Sequence, residues 1–334
     1  MDRNEFQKLL AHPPLPSVLL FEGDDEYLRD RALSQVRSLL LPAGMEELNE
    51  TLLEDAPADE IIAASETLPF LADQRLVILR DHPALTGRAE AEEKLLNYLP
   101  SVPPTTLLLF YCTRKPDGRK KLYTAIKKLN GIVTFQPMKD RELTSFVTDA
   151  FRREGRECGE RTADMLIFTC GTDSRKLLSE ISKIASHDPG QPVRPEEIEL
   201  LATPSAECTV FQMVDAVVAH QNSRAFTLMR NQLRAGTDRV FMLSMLLRQF
   251  RLLQHVKIMQ YEKQPVSAIR SALGVPPFAV EQYLRQASAY TGGQVRDASN
   301  LCFETEYAIK SGRLNAEGAL EAVMLKLLNI RGKD

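Results

Sequence analysis

Three uninterrupted apolar runs constrain the fold of this chain more than any other feature. They are "SVLLF" (residues 17–21), "RLVILRD" (75–81) and "TTLLLFYC" (105–112). A strand with one wet face alternates apolar and polar residues, whereas a strand apolar at every position is covered on both faces. "IVTFQP" (132–137) reads as a further strand and "NETLLE" (49–54) as a weaker one. Between them lie segments with helical spacing: 24–41, 58–68, 88–102 and 119–131. In the first of these the apolar positions are Tyr27-Leu28, Ala32, Val36 and Leu39-Leu40, with Asp24 as the expected N-cap. Repeated β-α-β units with buried strands predict a five-stranded parallel sheet with helices on both faces.

Near residue 140 the pattern changes, and no convincing strand follows. Segments 140–155 and 159–171 read as helices stopped by Gly, and 173–187 as a helix capped by Asp173 or Ser174. Pro195 opens a short helix, and "TPSAE" (203–207) reads as a linker. From Thr209 onward seven more helical segments follow, several with wide apolar faces. Such a bundle serves either as an oligomerisation collar or as a private core. The expected class is α/β plus all-α, with domains at residues 1–140, 141–208 and 209–334 of the 334.

A formal net charge of -3 excludes bulk attraction to polyanions, so any nucleic-acid contact must use local patches. No apolar run approaches the roughly 20 residues that span a bilayer, and "MDRNEFQKLLAHPP" has no signal-peptide h-region. The expected location is cytoplasmic, with no membrane contact. Cys112, Cys158, Cys170, Cys208 and Cys302 are scattered and read as reduced thiols. Neither they nor the dispersed histidines have metal-ligand spacing, so no metal site, cofactor or catalytic residue is expected.

The turn after the first strand, "FEGDDEYL", sits where a P-loop would continue G-x-x-x-x-G-K-[ST]. It has one glycine, Gly23, no Lys, and three acids, Asp24, Asp25 and Glu26. Those carboxylates suit the orphan N–H groups and dipole of the helix and repel a triphosphate. The strand at 75–81 ends in Arg80-Asp81-His82 rather than an Asp-Glu pair. Together these losses predict no nucleotide hydrolysis.

"SETLPFLADQRLVIL" (65–79) raises a different possibility. Pro69 disfavours helix at Leu68 and suits the first turn of a new, very short helix. Phe70 and Leu71 would point about 100° apart on it. Read from the residues alone, the pair either packs under the following strand or forms an exposed patch for a partner. "TRKPDGRKKLYTAIKKL" carries Arg114, Lys115, Arg119, Lys120, Lys121, Lys127 and Lys128 against Asp117. It is either a solvated face or a candidate DNA contact. Arg248 and Arg251 lie on a long apolar helix and face either a neighbouring domain or water.

The ordered set "LLFEGDDEYLRDRAL", "LPFLADQRLVILRD", "RKKLYTAIKK", "CGTDSRKLLSEISKI", "PSAECTVFQMVDAV", "LLRQFRLLQHVK" and "LGVPPFAVEQYLRQA" resembles the delta subunit of the bacterial DNA polymerase III clamp loader, across nearly the whole chain. The resemblance implies an AAA+-like α/β domain without a P-loop, a helical lid and a helical collar. It implies no intrinsic catalysis, within the DNA polymerase III holoenzyme. It implies a pentameric loader with the gamma or tau ATPases and delta prime, acting on primer-template DNA, in which this subunit binds the beta sliding clamp and opens its ring. Phe70 and Leu71 match the family's clamp anchor, in the order Phe-Leu where the best-known version reads Leu-Phe. Arg175 occupies the lid position where AAA+ ATPases carry a sensor Arg; here it reads as a salt bridge or a subunit contact. The alternatives are a divergent AAA+ ATPase and a delta-prime-like subunit. The latter usually carries a Ser-Arg-Cys finger and often a zinc-binding cysteine cluster, both missing here.

Overall fold

In a computed structural model, all residues are described except 13, 14, 42, 88–91, 276 and 332–334, and except the side chains of 277, 278 and 331. The chain divides into two units, Met1–Met138 and Lys139–Asp334.

The first unit runs α1 (Arg3–Leu10), β1 (Val18–Glu22), α2 (Glu26–Leu40), α3 (Glu46–Asn49), β2 (Glu50–Glu54), α4 (Ala58–Glu66), β3 (Arg75–Arg80), α5 (Pro83–Thr86), α6 (Glu93–Tyr98), a 3-10 turn (Leu99–Ser101), β4 (Thr106–Tyr111), α7 (Lys121–Lys128) and β5 (Ile132–Thr134). The strands form one sheet in the order β2-β3-β4-β1-β5, and all four pairings are parallel. The three uninterrupted apolar runs are its three inner strands, which is why they carry no alternation. β2 is an edge strand with Leu52 exposed, which explains its weaker signal.

Alternate residues of the inner strands feed two cores. Val18, Leu20, Val77, Leu79, Leu108 and Phe110 pack with residues of α4, α6 and α7. On the other face Phe21 meets Phe6 of α1 and Phe135 edge-on, with ring centroids 5.1 Å away in each case. Helices α1, α3 and α5 were not expected; two of them have only four residues, too short to show a period. The start of the helix expected over 88–102 lies outside the described residues, and the described part is α6 and the 3-10 turn.

The second unit is helical among the described residues. It comprises α8 (Asp140–Arg153), α9 (Glu160–Cys170), α10 (Ser174–Ala185), α11 (Pro195–Leu201), α12 (Ala206–Val218), α13 (Asn222–Arg234), α14 (Arg239–Tyr261), α15 (Val266–Leu273), α16 (Pro277–Ser288), α17 (Gly292–Lys310) and α18 (Ala319–Arg331). Asp173 caps α10 and Pro195 opens α11, as their spacing predicts. Among α8–α11, Arg156 is fully buried and donates to the carbonyls of Ile184 (2.8 Å) and Gln191 (2.6 Å) and to the Glu197 carboxylate (3.0 Å). Burial opposes the charge on Glu197, but the Arg156 bonds outweigh it and hold the carboxyl down at about 2. A separate core joins residues of α12 through α18, including Met213, Leu246, Phe250, Ala298 and Leu327. Arg248 of α14 pairs with Glu207 of α12, and Arg251 is exposed.

Candidate functional site

The parallel sheet has two ends, and the sequence-predicted residues fall on both. At the C-terminal end, where open α/β sheets bind ligands, the turn after β1 is closed. Gly23 adopts φ +126, and a Cβ there would lie 2.1 Å from the Phe135 carbonyl oxygen. The Asp25 N–H donates to that same carbonyl (3.1 Å), and the Phe135 N–H donates to Glu22 (2.7 Å). The cap of α2 is Asp25, not Asp24: its carboxylate accepts from the Leu28 N–H at 3.0 Å, while Asp24 is exposed. The extended turn at Gly23 carries the chain one residue further before the helix begins. Buried Arg29 donates to the Gly23 carbonyl (2.7 Å) and lies over the Tyr111 ring at 5.2 Å. Burial, aided by the hydrogen bond to Asp30, pushes the Tyr111 hydroxyl up to about 12. Asp81 is spent on Thr113, accepting from its N–H (2.7 Å) and its hydroxyl. Two N–H groups that a phosphate could use at this turn, those of Asp25 and Leu28, are therefore taken by Phe135 and Asp25.

The basic segment follows β4 at the same end. Arg114, Lys115 and Arg119 are exposed in the turn, Lys120 is partly covered, and Lys121 begins α7. Arg119 forks onto Asp117 at 3.0 and 2.9 Å and holds that carboxyl down at about 2. Lys121 lies 3.3 Å from Glu93.

At the N-terminal end of the sheet, residues 67–74 join α4 to β3. The short helix expected after Pro69 does not form; the segment is a loop. Two side chains take the hydrogen bonds that a helical turn would have made. The buried Asn49 amide receives the Phe70 N–H on Oδ1 (2.7 Å) and donates from Nδ2 to the Phe70 carbonyl (2.9 Å). Buried Arg75 donates to the Thr67 carbonyl (3.3 Å) and to the Thr51 hydroxyl (2.8 Å). Gln74 anchors the far end on the Pro104 carbonyl (2.7 Å). Leu71 has φ +51, the left-handed region that a leucine rarely takes.

With its main chain tied down, the loop turns its apolar side chains outward. Leu68 is 77%, Phe70 52% and Leu71 73% exposed. Of the two readings open from the residues, packing beneath β3 is not the one observed. Asn49 and Leu68 escaped the sequence analysis. Leu68 is separated from the pair by Pro69 and ends a helical pattern; Asn49 bonds main chain 21 positions away, which no local pattern encodes. The base of the loop is braced further by Arg37 of α2, which forks onto Glu50 at 2.8 and 2.6 Å. The Glu50 hydrogen bonds raise the Arg37 pKa.

A family model described as the DNA polymerase III delta subunit matches residues 19–136, and one described as its C-terminal domain matches residues 207–327. The chain belongs to the DNA polymerase III delta-subunit family. The DNA polymerase III subunit delta of Bacillus subtilis (strain 168) is 24% identical to it over 97% of this chain and 95% of the relative. The solved structure titled as the Bacillus subtilis DNA clamp loader delta protein is 23% identical, covers 98% of this chain and 99% of its own, and superposes with a TM-score of 0.54. That likeness carries the fold: a five-stranded parallel α/β unit followed by helices. In this delta-family chain the first matched region contains both ends of the sheet, with residues 67–74 and Asn49 inside it. Arg175 lies between the two matched regions, exposed on the first turn of α10. No group of His, Cys, Asp or Glu among the described residues is placed to hold a metal ion, and no described helix is long and apolar enough to cross a membrane.

Proposed function

We propose that this chain is a clamp-loader delta subunit that binds the beta sliding clamp and opens its ring for loading onto primed DNA, without hydrolysing ATP. The observation that carries this reading is the pair Phe70 and Leu71, exposed on a loop whose main chain is held by buried side chains. Burying each in a pocket would contribute roughly 1.5–3 kcal/mol, the scale of an interface hot spot. A ligand shifts a conformational equilibrium only by its differential affinity for the two states. Ring opening therefore requires that the anchor fit a strained clamp better than a closed one, and it needs no hydrolysis in this chain. The closed turn at Gly23 supports the same division of labour. ATP turnover then belongs to gamma or tau partners, in a cytoplasmic pentamer that also holds delta prime.

In this reading residues 1–140, 141–208 and 209–334 are the α/β, lid and collar domains. Arg114, Lys115, Arg119, Lys120 and Lys121 are candidate contacts to primer-template DNA, with Arg114 and Lys115 the most available. The test is the affinity of the full chain for purified sliding clamp, wild type against Phe70→Ala/Leu71→Ala, with melting temperatures for both. The reading expects at least a ~100-fold loss of affinity at unchanged melting temperature. Unchanged affinity, or a loss that tracks unfolding, refutes it.

A further inference from the structure

We infer that Asn49 is a positioning residue for partner binding: its buried amide sets the main chain of Phe70 so that the apolar side chains are presented before the partner arrives. The inference rests on the proposed clamp contact and adds to it a residue that touches no partner.

Asn49 ends α3, one residue before the edge strand β2, and is fully buried. Its amide offers one acceptor face and two N–H groups, and three bonds use them. Oδ1 accepts the Phe70 N–H at 2.7 Å. Nδ2 donates to the Phe70 carbonyl at 2.9 Å and to the Met45 carbonyl at 3.2 Å. A side-chain amide carries the same donor–acceptor pair as a peptide group. Asn49 thus does for a single residue what a neighbouring strand does for a ladder. Both polar groups of Phe70 are satisfied without any strand, and the ring remains half exposed.

The next residue shows that the geometry is imposed rather than relaxed. Leu71 holds φ +51, a conformation that strains a non-glycine residue and persists only where the surroundings over-determine it. A loop free to choose would place Leu71 elsewhere and would bury some of its apolar surface. Ordering rotamer-rich side chains on binding lowers affinity. A loop ordered beforehand binds more tightly with the same contacts.

The test uses the full chain and purified sliding clamp, comparing wild type, Asn49→Ala and Phe70→Ala/Leu71→Ala by binding kinetics, melting and amide hydrogen exchange. The expected result for Asn49→Ala is about tenfold weaker binding, with every apolar anchor intact. The Phe70 amide, slow in wild type, should exchange rapidly in the variant, while β3 amides remain protected. Should Asn49→Ala fail to fold, Asn49→Ser is read in its place by the same three measurements. Wild-type affinity in a folded Asn49 variant overturns the inference, as does a Phe70 amide that exchanges freely in wild type. Normal clamp binding by Phe70→Ala/Leu71→Ala together with a protected Phe70 amide marks the other failure: the loop is preorganised but the clamp contact is wrong.

Discussion

The two ends of the central sheet solve opposite problems with the same materials. At the C-terminal end, backbone donors that would be free in a phosphate-binding turn are consumed internally, by Phe135 and by the Asp25 cap. At the N-terminal end, Asn49 and Arg75 bind the main chain of the loop, although the buried Arg75 Nε has no partner of its own, and large apolar side chains are left in water. The three inner strands are five to six residues long, which separates the ends by roughly 17–20 Å. An end whose turn is closed by its own hydrogen bonds and whose space is filled is a structural joint. An end whose main chain is fixed and whose apolar surface is bare suits the partner contact proposed above. The difference between the ends lies in what each leaves exposed, and at the N-terminal end that is hydrophobic area.

The largest expected effect comes from breaking the closed end. Gly23→Ala drives a Cβ into the Phe135 carbonyl at a φ that alanine does not adopt. Urea denaturation should show a loss of about 3 kcal/mol or more, or no folded protein. A fully stable Gly23→Ala would mean that this end is not tightly joined.

Leu71→Gly should move stability and binding in opposite directions. Glycine relieves the left-handed strain at φ +51, so stability should hold or rise by up to about 1 kcal/mol. Clamp affinity should fall by ~10- to 100-fold with the loss of a buried leucine. Parallel losses in both would place Leu71 in the core of the fold. Thr51→Val removes the hydroxyl that accepts from Arg75 beneath the loop. Denaturation should register about 1–2 kcal/mol, with a smaller effect on clamp binding than Leu71→Gly has.

The smallest effect belongs to the basic turn. Asp117 holds Arg119 in a fork and has its carboxyl lowered to about 2 by that partner. A lowered folded-state value means that the pairing is fully present above the ordinary carboxylate range and is lost as pH falls from about 4 toward 2. Asp117→Asn frees Arg119 at neutral pH. Affinity for primer-template DNA should rise about twofold at low salt, with a steeper salt dependence. No change would leave this segment a solvated face.

Much of this was legible in the sequence where burial acts on consecutive residues. β1, β3 and β4 were readable because both of their faces are covered, and α2 because its apolar positions repeat. The closed turn was readable as a chemical absence, one glycine and no lysine. The cap lies one residue beyond Asp24, because the choice between Asp24 and Asp25 depends on the turn at Gly23 against Phe135, a contact more than 100 positions away in the chain. The helix expected after Pro69 failed for a related reason. Proline permits a helical first turn, but Asn49 offers Phe70 a better-paired alternative from outside the segment. Local pattern reports what a segment tolerates; the site depends on side chains that reach it from elsewhere.

The central claim is that the partner engages the N-terminal end of the sheet and not the C-terminal end. Amide hydrogen exchange of the full chain, with and without saturating sliding clamp, tests it most directly. The account predicts slowed exchange in residues 71–73 and the flanking loop, with the turn at 23–28 and the segment at 113–120 unchanged. Protection that appears at 23–28 or 113–120 and leaves 71–73 unaltered would contradict it.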